Sequence, residues 1–170
     1  MHKVIFFLFV VVIVYGIFNA IHKKKSTKLS IDSTHSACRR VQKRQDILAD
    51  ELARIDTPEY VKKYIVHVIN HGSDTLGFKG GIMEGGYADR EDAEKIACYV
   101  LELSGKKCPH PYPKDAAMFY TSICGGCHGN DGKGLGGNYP DLTRKKLLGI
   151  EKRETFLKAQ LAKVAQKSRE

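Results

Sequence analysis

Two cysteines and a histidine within five residues limit what this chain can fold into more than any other feature of its sequence. The segment Cys124-Gly125-Gly126-Cys127-His128 separates two thiols by two residues and places an imidazole directly after the second. Thiols at that spacing can bond the two vinyl groups of one haem from a single turn of chain, and the imidazole is then held beneath the iron. The motif therefore predicts one haem c, attached through Cys124 and Cys127, with His128 as the proximal iron ligand.

The cysteine pair has two other interpretations. A thioredoxin-like redox pair shares the Cys-x-x-Cys spacing, but it is expected between a strand and a helix, a context that is missing here. A zinc site needs two further ligands, which Cys108 and His110 can supply, so composition alone leaves zinc open. The completeness of the five-residue motif favours haem.

The N-terminus carries a long apolar run. Residues 4–21 form 18 residues without a charged side chain, a length that suits a membrane-spanning helix. A cleaved signal peptide is the alternative, but the best cleavage site follows Ala20, and bulky Phe18 stands where that site needs a small residue. We therefore predict a single-pass transmembrane anchor over 1–22.

Two signals for the side of the membrane disagree. The lysines at 23–25 follow the anchor directly, and the positive-inside rule would place the remainder of the chain in the cytoplasm. Covalent haem attachment is expected on the outer, oxidising side, and long domains can cross a membrane regardless of flanking charge. The haem motif takes precedence, which predicts that the haem domain lies on the outer side of the membrane.

Hydrophobic periodicity indicates a series of helices, so the predicted fold class is all-α. The best-marked helix starts after Thr57, with Pro58 in its first turn, and ends at Gly72. Another starts near Asp89 and ends at Ser104-Gly105. The predicted organisation is an anchor at 1–22, a stalk at 23–36, an extra helix at 37–56, a haem domain at 57–146 and a basic C-terminal helix at 147–170.

The residues around the haem motif resemble those of class I c-type cytochromes, such as the cytochrome c domains of bacterial terminal-oxidase haem subunits. Three stretches carry the resemblance: Phe119-Tyr120 ahead of the motif, the run CHGNDGKG that contains its end, and Pro140-Asp141-Leu142 after it. The resemblance implies that Tyr120 packs near the haem, that the Pro140 carbonyl accepts the second N–H of His128, and that Leu142 packs on the haem.

The other half of such a domain precedes the motif here instead of following it. Residues 57–105 resemble that half element by element, and Met83 falls where the family has its distal iron ligand. Neither Met nor His occurs after His128, so a distal ligand has to come from upstream. The family usually has Pro after the ligand Met, whereas Glu84 follows Met83, and His71 is the alternative distal ligand.

Two architectures explain the swapped order. In the first, one class I domain is circularly permuted, with 57–105 as the Met-bearing half and 114–146 as the haem-attachment half. In the second, the chain holds two degraded domains, as a relic of the two-haem subunit of certain bacterial terminal oxidases. The permuted arrangement leaves no half-site without a partner, and it is our prediction.

The resemblance implies a membrane-tethered electron carrier of a bacterial respiratory chain, not an enzyme. Its partner would be a respiratory redox protein or an oxidase or reductase complex with an acidic docking face, because the net charge is +9. No nucleic-acid motif accompanies the charge. Two alternatives stay open: a gas or peroxide sensor or enzyme with an open sixth iron site, and a structural subunit. The basic residues expected to steer the partner are Lys145, Lys146, Lys152 and Arg153.

Three cysteines lie outside the haem motif. Cys98 and Cys108 are close enough in sequence to pair in an oxidising compartment, which leaves Cys38 over. Burial as small apolar residues is the alternative, and spacing does not decide between them.

Overall fold

The computed structural model describes residues 12–15, 17–20, 36 and 38–167. The chain divides into two compact units, Met1–Asp46 and Ile47–Glu170. In the first unit the described residues are helical, and the thiol of Cys38 is free and exposed. Most of the predicted anchor at 1–22 and of the stalk at 23–36 lies outside the described residues. Among those described, no helix is both long and apolar enough to cross a membrane.

The second unit is built from helices, and its described part contains no strand beyond one isolated β-bridge between Ser73 and Met83. The all-α prediction is therefore confirmed for the described residues. A short 3-10 turn, Leu135–Gly137, lies between the last two helices. The helices of this unit are α1 (its part within the unit, 47–54), α2 (Pro58–His71), α3 (Arg90–Leu103), α4 (Ala116–Ile123), α5 (Gly125–His128) and α6 (Leu148–Lys167).

The ends of α2 and α3 follow the capping residues in the sequence. The Thr57 hydroxyl accepts the Tyr60 N–H at the start of α2, and Gly72 ends that helix with a φ of 78°, a conformation that favours glycine. The carboxylate of Asp89 accepts the Asp92 N–H at 2.8 Å and caps α3. These predicted boundaries are confirmed.

One hydrophobic core joins the two predicted halves. Helix α3 packs against both α2 and α4, so the Met-bearing and haem-attachment halves bury their apolar side chains together. A permuted domain requires such a shared core, whereas two separate domains would each enclose their own. The buried core consists of Ile55, Val61, Ile65, Ile69, Ala93, Ile96, Ala97, Val100, Leu101, Tyr120, Leu147, Ile150 and Leu157.

A disulfide closes the connection between the two halves. Cys98, in α3, is bonded to Cys108 in the connector that leads to α4, and their Cα atoms lie 5.1 Å apart. The Cys98 side is enclosed in the unit, with 1% of the residue exposed. The structure thus resolves the pairing that spacing left open.

Helix α6 is held by a polar network as well as by the core. The Arg153 guanidinium donates two hydrogen bonds to the Glu51 carboxylate, at 2.8 and 2.9 Å. The Tyr60 hydroxyl donates a third to the same carboxylate at 2.6 Å. The network therefore connects α1, α2 and α6, with Glu51 as the shared acceptor.

Candidate haem site

A cavity of about 220 Å³ lies inside the second unit. One water occupies about 30 Å³, so the space is that of a ligand site and not of a packing defect. Most of its lining is apolar, and it receives residues from both predicted halves. All seven residues predicted to bind the haem line it: Met83, Tyr120, Cys124, Cys127, His128, Pro140 and Leu142.

His128 is held in the state in which an imidazole binds a metal. Its Nδ1 lies 3.2 Å from the Pro140 carbonyl oxygen. A carbonyl can only accept, so Nδ1 carries the proton and the lone pair of Nε2 stays available. Burial lowers the pKa of His128, with the Pro140 hydrogen bond acting in the opposite direction. The resemblance implied this contact with Pro140, and the structure contains it.

Tyr120 fixes the haem motif to the core. Its residue is fully buried, and its hydroxyl donates a hydrogen bond of 2.9 Å to the Gly129 carbonyl, one residue beyond His128. The ring lies 5.1 Å from that of Tyr99, between centroids. Because this buried hydroxyl is hydrogen-bonded to Gly129, the Tyr120 side chain holds the backbone that directly follows the motif.

The two motif cysteines lie on one short helical turn. The Cys127 N–H donates to the Cys124 carbonyl at 3.2 Å, and neither sulfur is in a disulfide. Burial raises the pKa of Cys124 to about 11, so this side chain is a neutral thiol at physiological pH. Cys127 is exposed at the rim of the cavity.

Met83 is placed by the loop between α2 and α3, residues 72–89, which we call the Met83 loop. The Ser73 N–H donates to the Met83 carbonyl at 2.7 Å, and the Met83 N–H donates back to Ser73 at 2.9 Å. A Cβ on Gly72 would lie 2.3 Å from the Met83 carbonyl oxygen, so this bridge needs glycine there. The Gly86 N–H donates to the Ile69 carbonyl and fixes the far end of the loop to α2.

The structure does not bring His71 to the cavity. Its side chain is exposed at the end of α2, with Nδ1 3.0 Å from the His67 carbonyl oxygen and its ring stacked on that of His67. Met118 is also remote from the cavity lining, and 58% of it is exposed on α4. Of the residues considered as distal ligands, Met83 is the one that lines the cavity.

The zinc interpretation loses one of its two further ligands. The Cys108 sulfur is bonded to Cys98 and is not available as a thiolate. Within the described residues, no group of three or more His, Cys, Asp or Glu side chains could hold a metal ion.

Sequence reasoning missed the part played by Tyr139. Its ring lies 6.3 Å from that of His128, between centroids, and a Cβ on Gly80 would fall 2.4 Å from its ring carbons. The Gly80 N–H also donates to the Asn138 carbonyl at 2.9 Å. These contacts join residues from different halves, and no local sequence pattern pairs them. The position of Tyr139 directly before Pro140 was the one available signal.

The donor set fits a c-type haem. Such a group needs two thiols at fixed spacing, an imidazole with a bare nitrogen, and a largely apolar enclosure for its macrocycle. Cys124, Cys127 and His128 supply the first two requirements, and the cavity lining supplies the third. Met83 adds a thioether sulfur to the same cavity.

Comparison with known proteins gives a similarity over less than half of the chain. The chain is 44% identical over 75 residues to the Cbb3-type cytochrome c oxidase subunit CcoP of Helicobacter pylori strain ATCC 700392 / 26695, and 43% identical over 75 residues to that of strain 52. Each match covers 42% of this chain and 26% of the relative, so the matched part spans about a quarter of each relative's length. No protein-family model and no solved structure matches the chain.

Proposed function

We propose that this protein is a c-type cytochrome that carries single electrons to or within a respiratory oxidase and is not itself the catalyst. The observation that carries the proposal is the cavity in which Cys124, Cys127, His128 and Met83 meet. The similarity to oxidase subunits named CcoP supports the respiratory setting.

Each site residue has a separate task in this proposal. Cys124 and Cys127 bind one haem c covalently, and His128 is the proximal ligand whose Nδ1–H is kept in place by the Pro140 carbonyl. Met83 is the distal ligand, and Leu142 and Tyr120 complete the enclosure. When bound, the haem supplies an iron that cycles between Fe(II) and Fe(III), and His/Met ligation raises its reduction potential.

The proposed fold is a circularly permuted class I cytochrome c domain, with 57–105 as the Met-bearing half and 114–146 as the haem-attachment half. The shared core of α2, α3 and α4 supports this proposal, and so does the short disulfide-closed connector from α3 to α4. The alternative of two degraded domains leaves that single core without an explanation.

The proposed location is the periplasmic face of a bacterial inner membrane, with residues 1–22 as the anchor and 23–36 as the stalk. The Cys98–Cys108 disulfide supports an oxidising compartment. An acidic partner surface is part of the proposal, although three of the four predicted steering residues already have partners in the fold. Lys146 is paired with Glu154, Arg153 is paired with Glu51, and Lys152 donates to the Thr75 carbonyl. The exposed Lys145 is therefore the better candidate.

A sensor or enzyme with an open sixth iron site needs Met83 to be remote from the iron. Met83 lines the same cavity as His128, so no observation favours that function over electron transfer.

The test uses the full-length holoprotein. We expect one haem per chain and a weak iron–sulfur charge-transfer band in the oxidised protein, because His128 and Met83 would both bind the iron. Met83→Ala should abolish the band, whereas Met118→Ala, on the exposed face of α4, should keep it. Two haems per chain would overturn the single-site scheme, and a band that survives in Met83→Ala would overturn the ligand assignment.

A further inference from the structure

Tyr139 lies where the two halves of the domain meet. Its ring packs on the backbone of Gly80, so closely that a Cβ on that residue would lie 2.4 Å from ring atoms Cε1 and Cζ. One residue earlier, the Asn138 carbonyl accepts the Gly80 N–H at 2.9 Å. A ring contact and a backbone hydrogen bond therefore join the Met83 loop to the haem-attachment half at one point.

The other side of Tyr139 faces the haem motif. Its ring is tilted by 57° against that of His128, with the two ring centroids 6.3 Å apart. A Cβ on Gly134 would lie 2.1 Å from the Tyr139 carbonyl oxygen, so its backbone is closely packed as well. Haem attachment would use the Cys127 sulfur, and the ring contact with Gly80 does not involve that atom.

The remaining contacts of the Met83 loop hold it to other parts of the fold. The Ser73–Met83 bridge joins two residues within the loop, and the Gly86–Ile69 hydrogen bond fixes the loop to α2, within its own half. Lys152, in α6, donates to the Thr75 carbonyl near the start of the loop. The contact with Asn138 and Tyr139 is what fixes the loop to the half that carries His128.

We propose that Tyr139 and Gly80 form a clamp that holds the Met83 loop against the haem-attachment half, which makes Tyr139 a positioning residue for Met83. This inference rests on the proposed function, because it takes Met83 as the distal ligand. The backbone of Gly80 is not in a left-handed conformation, so other residues could adopt it. Glycine is needed there only because the Tyr139 ring leaves no room for a Cβ. Any side chain at position 80 displaces the ring.

The clamp is tested in the full-length holoprotein by two measurements. Hydrogen exchange of the backbone amide at position 80 reports the contact itself. The iron–sulfur charge-transfer band and the midpoint potential report the position of Met83. Tyr139→Ala and Gly80→Ala should each speed the exchange about tenfold, weaken the band and lower the potential. Tyr139→Phe keeps the ring, so the exchange rate, the band and the potential should stay at their wild-type values.

A double variant provides the matched control. Gly80→Ala acts through a collision with the Tyr139 ring, so it should have no further effect in a Tyr139→Ala background. Additive effects of the two substitutions would overturn the clamp, since each would then act at a separate place.

Failure of the clamp and failure of the proposed function give different results. If exchange at Gly80 is unchanged in Tyr139→Ala while Met83→Ala still abolishes the band, the clamp is wrong and the ligand assignment stands. If the wild-type protein has no band, the positioning of Met83 is overturned together with its assignment as the ligand.

Discussion

The haem-attachment half and the Met-bearing half position their proposed iron ligands in different ways. In the first, the two thiols, the imidazole and the tyrosine that anchors them all lie within residues 120–129, and the anchor is fully buried. In the second, Met83 stands alone in a loop that is positioned by backbone hydrogen bonds and by glycines that allow close approach. Damage to the first half should therefore lower the stability of the whole unit, whereas damage to the Met83 loop should also displace the proposed ligand.

The largest effect is expected from Tyr120, which would break the haem-attachment half. Tyr120→Ala removes a fully buried ring and should lower the free energy of unfolding by about 3–5 kcal/mol. Tyr120→Phe leaves the Gly129 carbonyl without its donor and should cost about 1–2 kcal/mol. Urea unfolding of the holoprotein measures both. Equal losses in the two variants would show that the hydroxyl, not the packing of the ring, carries the stability.

The next largest loss of stability is expected from the disulfide that closes the connector between the halves. Replacing Cys98 and Cys108 together by Ala removes a cross-link over 10 residues of sequence separation and should cost about 3 kcal/mol. Reductant should destabilise the wild type to a similar extent and leave the double variant unchanged. An equal response of both proteins to reductant would contradict the role of this disulfide.

The Met-bearing half is tested at Gly72, where two constraints coincide. Gly72→Ala forces a side chain into a left-handed conformation and against the Met83 carbonyl, so we expect a loss of about 2 kcal/mol and a weaker charge-transfer band. Gly105→Ala is the matched control, because its φ is 77° but no atom lies within 4 Å of the added Cβ. That variant should lose stability through strain and keep the band. If the band is weakened in both variants, the loss of the band does not come from the contact between Gly72 and Met83.

The same difference between the halves decides how much of the site could be predicted from sequence. Short sequence patterns or the family resemblance predicted the haem motif, the position of Met83 and the contact between His128 and Pro140. The helix caps at Thr57 and Asp89 were also predictable, because they depend on residues close in sequence. The Gly80–Tyr139 contact and the Glu51–Arg153 pair depend on how distant segments pack, which local patterns do not encode. For the same reason Lys146 and Arg153 looked like free surface charge in the sequence, yet they form ion pairs in the fold.

Glu51 lies outside both halves and gives the smallest expected effect. The hydrogen bonds from Arg153 hold the pKa of Glu51 below its ordinary value of 4.5, with Tyr60 acting in the same direction and burial against it. A carboxylate whose pKa is lower in the folded state stabilises the fold above its unfolded pKa, and this contribution disappears as the pH falls through the folded value. Glu51→Gln should therefore cost about 1 kcal/mol at pH 7, and this difference from the wild type should shrink as the pH is lowered below about 4.

The measurement for Glu51 is urea unfolding of both proteins across this pH range. Glu59→Gln, at an exposed position in the first turn of α2, is the control and should change the stability by less than about 0.5 kcal/mol at every pH. A difference for Glu51→Gln that stays constant with pH would mean that Glu51 acts through packing and not through its charge. A pH-dependent difference would instead show that α6, which belongs to neither half, is attached to the domain by an ion pair. Since α6 also contributes Ile150 and Leu157 to the core, loosening it should destabilise both halves equally.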